Sequence, residues 1–268
     1  MSGRNPMGGH VDVSGTAGIL LALGVVVAGQ LLEGGRVESL LQPTAAVVVF
    51  GGTMAALLVS YPAATLKRTV VAIWKAFVFE PPAVRALAEE LTQLSIRSKR
   101  RGLMSLETVA AETSDRFLGR ALSLATDGLP PEAVRRAMET DIRVTEDAEE
   151  EAARVLEAAA GYTPTLGILG AVLGLIHVME NLAAPSKLGA GIAVAFVATI
   201  YGVAAANLLL MPLAAKIRGT IRLSSVRREM ILEAVVAMMQ GIHPRQLEEQ
   251  LEAYTQAHVE PSGLERAA

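Results

Sequence analysis

The chain contains no cysteine, which excludes disulfides, thiolate chemistry and cysteine-ligated metals. Its histidines, His10, His177, His243 and His258, are scattered, with no two at helical spacing. Aromatic residues are scarce, and no basic stripe interleaves with them, so nothing marks a nucleic-acid surface. There is no Gly-rich phosphate loop leading from a strand into a helix and no nucleophile elbow. We therefore expect no enzyme activity, no cofactor, no metal and no nucleic acid. One further absence stands out. Between Gly161 and Met179, and again between Leu188 and Ala215, there is no Asp, Glu, Lys or Arg. An ion handled within those stretches must be carried by a titratable group from elsewhere.

What the chain does have is apolar length, with 51% hydrophobic residues over 268 positions. Four runs approach the ~20 apolar residues that a helix needs to cross a bilayer: Val13 to Leu32, Pro43 to Tyr61, and the two halves of Gly161 to Ala215 on either side of the polar bridge Glu180 to Lys187. The expected organisation is a lead (1–12), a first transmembrane hairpin (13–61), a helical cytoplasmic domain (62–160), a second hairpin (161–215) and a cytoplasmic C-terminal helix with its tail (216–268). Met1 to His10 is Gly-rich and the run after it is as long as a full span, so no cleavable signal peptide is expected. Pro81-Pro82 and Pro130-Pro131 divide the domain into helices near Ala83 to Lys99, Ser105 to Asp127 and Glu132 to Ala160, because proline is tolerated at a helix start and not inside one. The acidic run Glu146, Asp147, Glu149, Glu150 and Glu151 reads as a solvated helix face. Lys67 and Arg68 after the second span and the Lys216 to Arg228 cluster after the fourth fall on the same side by parity. The positive-inside rule then puts both termini in the cytoplasm. The fold class expected is an all-α membrane protein with four transmembrane helices, a helical cytoplasmic domain between the second and third, and a cytoplasmic C-terminal helical region.

Inside the apolar runs, small residues recur. Gly167, Gly170 and Gly174 stud the third span, Gly189, Gly191 and Gly202 the fourth, and Gly51-Gly52-Thr53 the second. Such stripes let helix backbones approach where lipid gives no hydrophobic drive, so the second hairpin is expected to pack against other helices. Thr199 and Asn207 are polar groups at membrane depth. The Thr199 hydroxyl either serves an ion path or bonds the carbonyl one turn back. Pro164 and Pro212 either kink or end their helices, or act as hinges.

With these pieces in order, the sequence resembles the MotA/PomA flagellar stator proteins of the TolQ/ExbB proton-channel group. The resemblance is carried by Gly51-Gly52-Thr53, by Gly102 to Glu107, by Tyr162-Thr163-Pro164 through Leu175, by Ala198-Thr199-Ile200-Tyr201-Gly202, by Asn207 to Pro212, and by Gln240 to Arg245. TolQ and ExbB have three spans and another layout, so the stator branch fits better. The resemblance implies a bacterial inner-membrane ring of identical subunits, a pentamer in the family, around the single spans of a MotB-like dimer that supplies a membrane aspartate. It implies a proton channel that turns ion-motive force into torque for flagellum rotation and chemotaxis. Carried over by position, Pro164 and Pro212 match two functional prolines, and Thr199 the threonine facing the partner's aspartate. Ala171 and Ala198 stand where sodium-driven members carry threonine, and Lys99, Arg100 and Glu107 match charged positions facing the rotor protein FliG. Two alternatives remain: a TolQ/ExbB-like energiser of an envelope process, and a non-conducting membrane scaffold.

Overall fold

A computed structural model of the chain describes residues 12–78, 84–183 and 185–259; Pro81 and Pro82 lie outside them. Every regular element among the described residues is helical. Helix α1 (Val13–Leu32) starts at Asp12, whose carboxylate accepts from the Ser14 backbone N–H at 3.0 Å and supplies one of the partners that first-turn amides lack. No residue of α1 is buried. The second span runs from Val37 to Ser60. It contains α2 (Pro43–Ala46), a π-helical turn (Val47–Gly51) and α3 (Gly52–Ser60). Tyr61 is extended, as a residue preceding proline tends to be, and that ends the helix. The chain turns at once into α4 (Ala63–Val78), a helix that proline punctuation alone did not reveal.

Beyond α5 (Val84–Arg101) the expected Ser105 to Asp127 helix is three pieces: a 3₁₀ turn (Leu103–Leu106), α6 (Glu107–Glu112) and α7 (Arg116–Thr126). The break comes from Asp115, whose carboxylate accepts from the backbone N–H groups of Phe117 and Leu118 and so starts a new helix. Gly119 then fits close under α6, since a Cβ there would lie 3.0 Å from the Ala110 carbonyl oxygen.

The helix expected to stop at Ala160 does not stop. Helix α8 (Pro131–Glu180) is continuous for 50 residues with Pro164 inside it. Proline lacks the N–H that would bond the Ala160 carbonyl, and the Thr163 hydroxyl donates to that carbonyl instead, at 3.4 Å. Likewise α9 (Pro185–Ala204), a second π-helical turn (Ala205–Leu210) and α10 (Met211–Met239) follow one another without a loop, so Pro212 ends nothing. Gly241, at φ +70°, does end α10, and α11 (Pro244–Val259) follows.

The chain forms two compact units, and α8 and α10 each contribute to both. The first holds residues up to 80 and Glu149–Gly219; the second holds Pro81–Ala148 and Thr220–Ala268. Residues 81–148 and 220–268, placed in separate segments by the sequence, thus share a core in which Leu91, Leu118, Leu122, Met138, Ile231 and Leu251 are almost fully buried. Each such side chain contributes roughly 1.5–3 kcal/mol by leaving water.

The acidic run is not a bare solvated face. In the first unit Glu150 accepts from Arg218 Nε at 2.6 Å, Glu157 accepts from both terminal nitrogens of the same guanidinium, and Thr65 donates to Glu151 at 3.4 Å. In the second, Ser225 donates to Glu146, and Arg135 binds Glu233 through two hydrogen bonds of 2.6 and 2.9 Å. The Arg135 guanidinium holds the Glu233 carboxyl below its ordinary value of 4.5. A carboxyl depressed by folding adds stability that is full above its unfolded value and is lost as pH falls through its folded one. Glu233 is 42% exposed, so screening limits the pair to about 1 kcal/mol or less. Glu233→Gln is therefore expected to lower the apparent thermal midpoint of the detergent-purified protein slightly at about pH 7, with the difference from wild type shrinking as pH falls below the ordinary value of 4.5. Thermal melts followed by circular dichroism across that range check this.

Candidate functional site

Beyond Gly161, α8 presents Thr163, Gly167, Gly170 and Gly174 on one buried face, and α9 answers with Gly191, Ala195, Ala198 and Gly202. Both series are spaced four, three and four, the seam of two nearly antiparallel helices in close contact. The two backbones touch. A Cβ on Gly202 would lie 2.5 Å from the Thr163 carbonyl oxygen and 3.0 Å from Pro164 Cα. On Gly167 it would lie 2.9 Å from the Ala198 carbonyl oxygen, and on Gly174 2.8 Å from that of Gly191. The glycine stripes expected to meet other helices are thus used largely within the hairpin itself. The second span covers what remains: Ala45 and Val49 pack on Val197 and Ala198, and a Cβ on Gly52 would meet the Leu166 side chain at 3.1 Å.

This crossing brings Pro164 and Thr199 together, on either side of the Gly167–Gly202 contact. Thr199 is exposed on the single chain, and its hydroxyl donates to the Ala195 carbonyl one turn back at 3.3 Å. Ala198 points elsewhere: it is fully buried among Ala45, Val49 and Val197, directly above Gly170. Ala171, the residue after Gly170, is half-buried. Pro212 lies apart from the crossing and exposed, just after the second π-helical turn, in which the Asn207 amide donates to the Val203 carbonyl at 3.0 Å.

Both π-helical turns escaped sequence reasoning. They border one apolar cavity of about 240 Å³ lined by residues that include Leu23, Phe50, Tyr201, Ala205 and Leu208. Tyr201 also anchors the start of the second span, donating to the Leu40 carbonyl and accepting from the Gln42 N–H. The signal available in the sequence was a lone tyrosine amid apolar residues, whose hydroxyl needs a partner when buried.

Lys99, Arg100 and Glu107 lie in the second unit and are all exposed. Lys99 and Arg100 occupy the last turn of α5, Gly102 reverses the chain at φ +81°, and Glu107 opens α6. This places the cations at a helix C-terminus and the carboxylate at an N-terminus, where each is favoured by the helix dipole. Lys99 also donates to the Gly241 carbonyl at 2.9 Å, closing the turn after α10. Among the described residues no group of three His, Asp or Glu side chains could hold a metal. The crossing supplies a hydroxyl, a proline-freed carbonyl and no charge.

A profile described as the MotA/TolQ/ExbB proton channel family matches residues 84–230, and one described as motility protein A N-terminal matches residues 16–99. Motility protein A of Bacillus subtilis (strain 168) is 30% identical, with 92% of this chain and 92% of that protein covered. An uncharacterized protein of the same organism, YtxD, is 32% identical over 88% of this chain and 86% of its own. Among solved structures, C. jejuni MotAB is similar with a TM-score of 0.87 at 27% identity, covering 93% of this chain and 98% of that one. The flagellar MotAB stator complex of Bacillus subtilis is similar with a TM-score of 0.83 at 29% identity, covering 90% and 95%.

The crossing makes a steric prediction with its own control. Gly202→Val inserts atoms where the backbone of α8 already lies, at a cost of about 1–3 kcal/mol or more, and is expected to reduce the yield of monodisperse protein in detergent several-fold. Gly189→Val, at an exposed glycine where a Cβ would meet nothing within 4 Å, is expected to match wild type. Size-exclusion profiles of the two variants check this.

Proposed function

The chain belongs to the MotA/TolQ/ExbB proton channel family, and we propose that it is a flagellar stator subunit which, with a MotB-like single-span partner, forms a proton channel and converts ion-motive force into torque. The observation that carries this reading is the end-to-end likeness to motility protein A and to MotAB structures. The chain's own chemistry agrees with it. Four helices are long and apolar enough to cross a membrane, and the apolar stretches of the third and fourth, Gly161 to Met179 and Leu188 to Ala215, carry no acid, so in this reading the ion-carrying carboxylate belongs to the partner.

The energetics are matched. A charged carboxylate at a helix centre in the bilayer costs roughly 2.5–3.5 kcal/mol on insertion scales, and one charge crossing about 100 mV releases roughly 2.3 kcal/mol. Protonation of the partner's aspartate therefore changes its preferred surroundings by an amount the ion gradient can supply. Thr199, exposed beside the crossing, faces that aspartate in this reading, and half-buried Ala171 borders the same path without a hydroxyl, whereas Ala198 is enclosed by Ala45, Val49 and Val197. Pro164 is the hinge: it has no N–H to give the Ala160 carbonyl, which takes a 3.4 Å bond from the Thr163 hydroxyl, so one backbone hydrogen bond fewer resists bending there. Pro212 is a second hinge beside the π-helical turn. Lys99, Arg100 and Glu107 meet the rotor protein FliG, five copies of the chain form the ring, and both termini lie in the cytoplasm, on the side of Lys67, Arg68 and the Lys216 to Arg228 cluster.

Deletion of the gene in a cell with no other stator tests the function: flagella are expected to assemble and fail to turn, and undiminished swimming overturns the reading. Pro164→Ala restores the N–H to the Ala160 carbonyl and is expected to abolish torque while the complex still assembles, as scored by swimming alongside co-purification with the partner. Because neither Ala171 nor Ala198 carries the hydroxyl oxygen that a dehydrated sodium ion needs, and Ala198 is in any case enclosed by protein, swimming speed at fixed pH is expected to be independent of sodium concentration.

A further inference from the structure

We propose that α4 is a docking surface for the anionic headgroups of bilayer phospholipids, with Lys67, Arg68 and Lys75 as its cationic contacts and Trp74 as its anchor. The helix begins directly after the Tyr61-Pro62 stop that ends the second span, so its start is fixed at the membrane boundary; the inference rests on that span crossing a bilayer. One face of α4 is spoken for, with Thr65, Thr69 and Ala76 buried. The opposite face carries large apolar side chains in the open: Val70 is 67% exposed, Val71 46% and Trp74 72%. At 100° per residue, Val70, Trp74 and Val71 form one sector, with Lys67 among them and Lys75 and Arg68 along its edge. There is no acidic residue between Ala63 and Val78.

An apolar sector flanked by cations, with a tryptophan between them, suits a helix lying in the plane of an interface. The apolar side chains enter the acyl boundary, the tryptophan ring sits at headgroup depth, and the ammonium and guanidinium groups meet lipid phosphates. Charge chooses the lipid: three cations with no acid on the helix favour anionic over zwitterionic headgroups. The helix is also tethered. Thr65 donates to Glu151, the Asp12 N–H donates to the Phe77 carbonyl at 2.9 Å, and the Lys216 ammonium, paired with Asp12, lies 5.2 Å from the Phe77 ring centre. A surface fixed near both ends presents its cations in one arrangement, which reduces the ordering cost of binding.

Trp74 is the sole tryptophan of the chain and reports on this face directly. The full-length protein is reconstituted into nanodiscs holding equal mole fractions of phosphatidylglycerol and phosphatidylcholine, and the acyl chains of one or the other are brominated. Brominated phosphatidylglycerol is expected to quench Trp74 at least about threefold more than brominated phosphatidylcholine, and salt at about 1 M is expected to erase the difference. The combined variant Lys67→Gln, Arg68→Gln and Lys75→Gln, altered only at exposed positions, is expected to lose the preference while both lipids still quench. Equal quenching in the wild-type protein, or an unchanged preference in the variant, overturns the headgroup assignment. An absence of quenching by either lipid places protein over this face, such as a second copy of the chain, and also overturns it. The spanning reading fails separately, if alkaline carbonate releases the chain from membranes.

Discussion

Backbone contact between α8 and α9 is the constraint on which the first unit depends. In lipid the hydrophobic effect does not press helices together, so association rests on dispersion and on polar contacts at short range. Both grow as the backbones approach, and the approach seen at Gly167, Gly174 and Gly202 leaves no room for a Cβ. Once that seam is set, other placements follow. Ala198 has to point into the wedge filled by Ala45 and Val49, and Thr199, about 100° further around the helix, has to point away from it. Pro164 is fixed against Gly202 for the same reason. The position of each polar or unusual residue is thus a consequence of where the smallest residues lie.

The same two chain segments pair by a different physics once the apolar runs end. Before Gly161 and after Ala215, α8 and α10 add charged contacts to a buried apolar seam that includes Met138 and Ile231: Glu150 and Glu157 with Arg218 in the first unit, Arg135 with Glu233 in the second. Partly exposed ion pairs add little stability one by one. Their value is directional, because an acid run on one helix and a basic run on the other favour one antiparallel register over its neighbours. Small residues therefore set distance within the apolar stretch, and charges set register outside it.

How far this was legible in the sequence differs by residue. The four spans were legible because length and apolarity alone define them, and Val13–Leu32 needs no partner within the chain to be recognised. The continuity of α8 was not legible. A proline and an abrupt change from charged to apolar residues both mark boundaries in local reasoning, whereas the Thr163 hydroxyl that bridges the gap acts three residues back along the helix and looks like any other threonine. The role of Glu146 to Glu151 was hidden because its partners lie more than 60 positions away in sequence. The π-helical turns carry no residue signature. Each holds one residue more per turn than its surroundings, an excess that only the packed neighbours impose. Thr199 was found, with its two readings, and one of these describes the bond it makes in the isolated chain.

That bond does not remove Thr199 from an ion path. A threonine hydroxyl that donates to the carbonyl one turn back still has lone pairs to offer, and it offers them outward because its hydrogen is turned toward its own helix. An exposed oxygen with acceptor capacity suits a protonated carboxyl as a neighbour, since the acid O–H needs an acceptor; a carboxylate needs donors and finds none there. In the proposed stator, the two protonation states of a partner's aspartate beside Thr199 are therefore not equivalent. The neutral form is favoured beside Thr199 and the charged form is driven toward water or toward another donor. If, as proposed, Pro164 is the hinge, a preference of this kind would reach it across the Gly167–Gly202 contact, at the point of α8 where proline leaves one backbone hydrogen bond unmade.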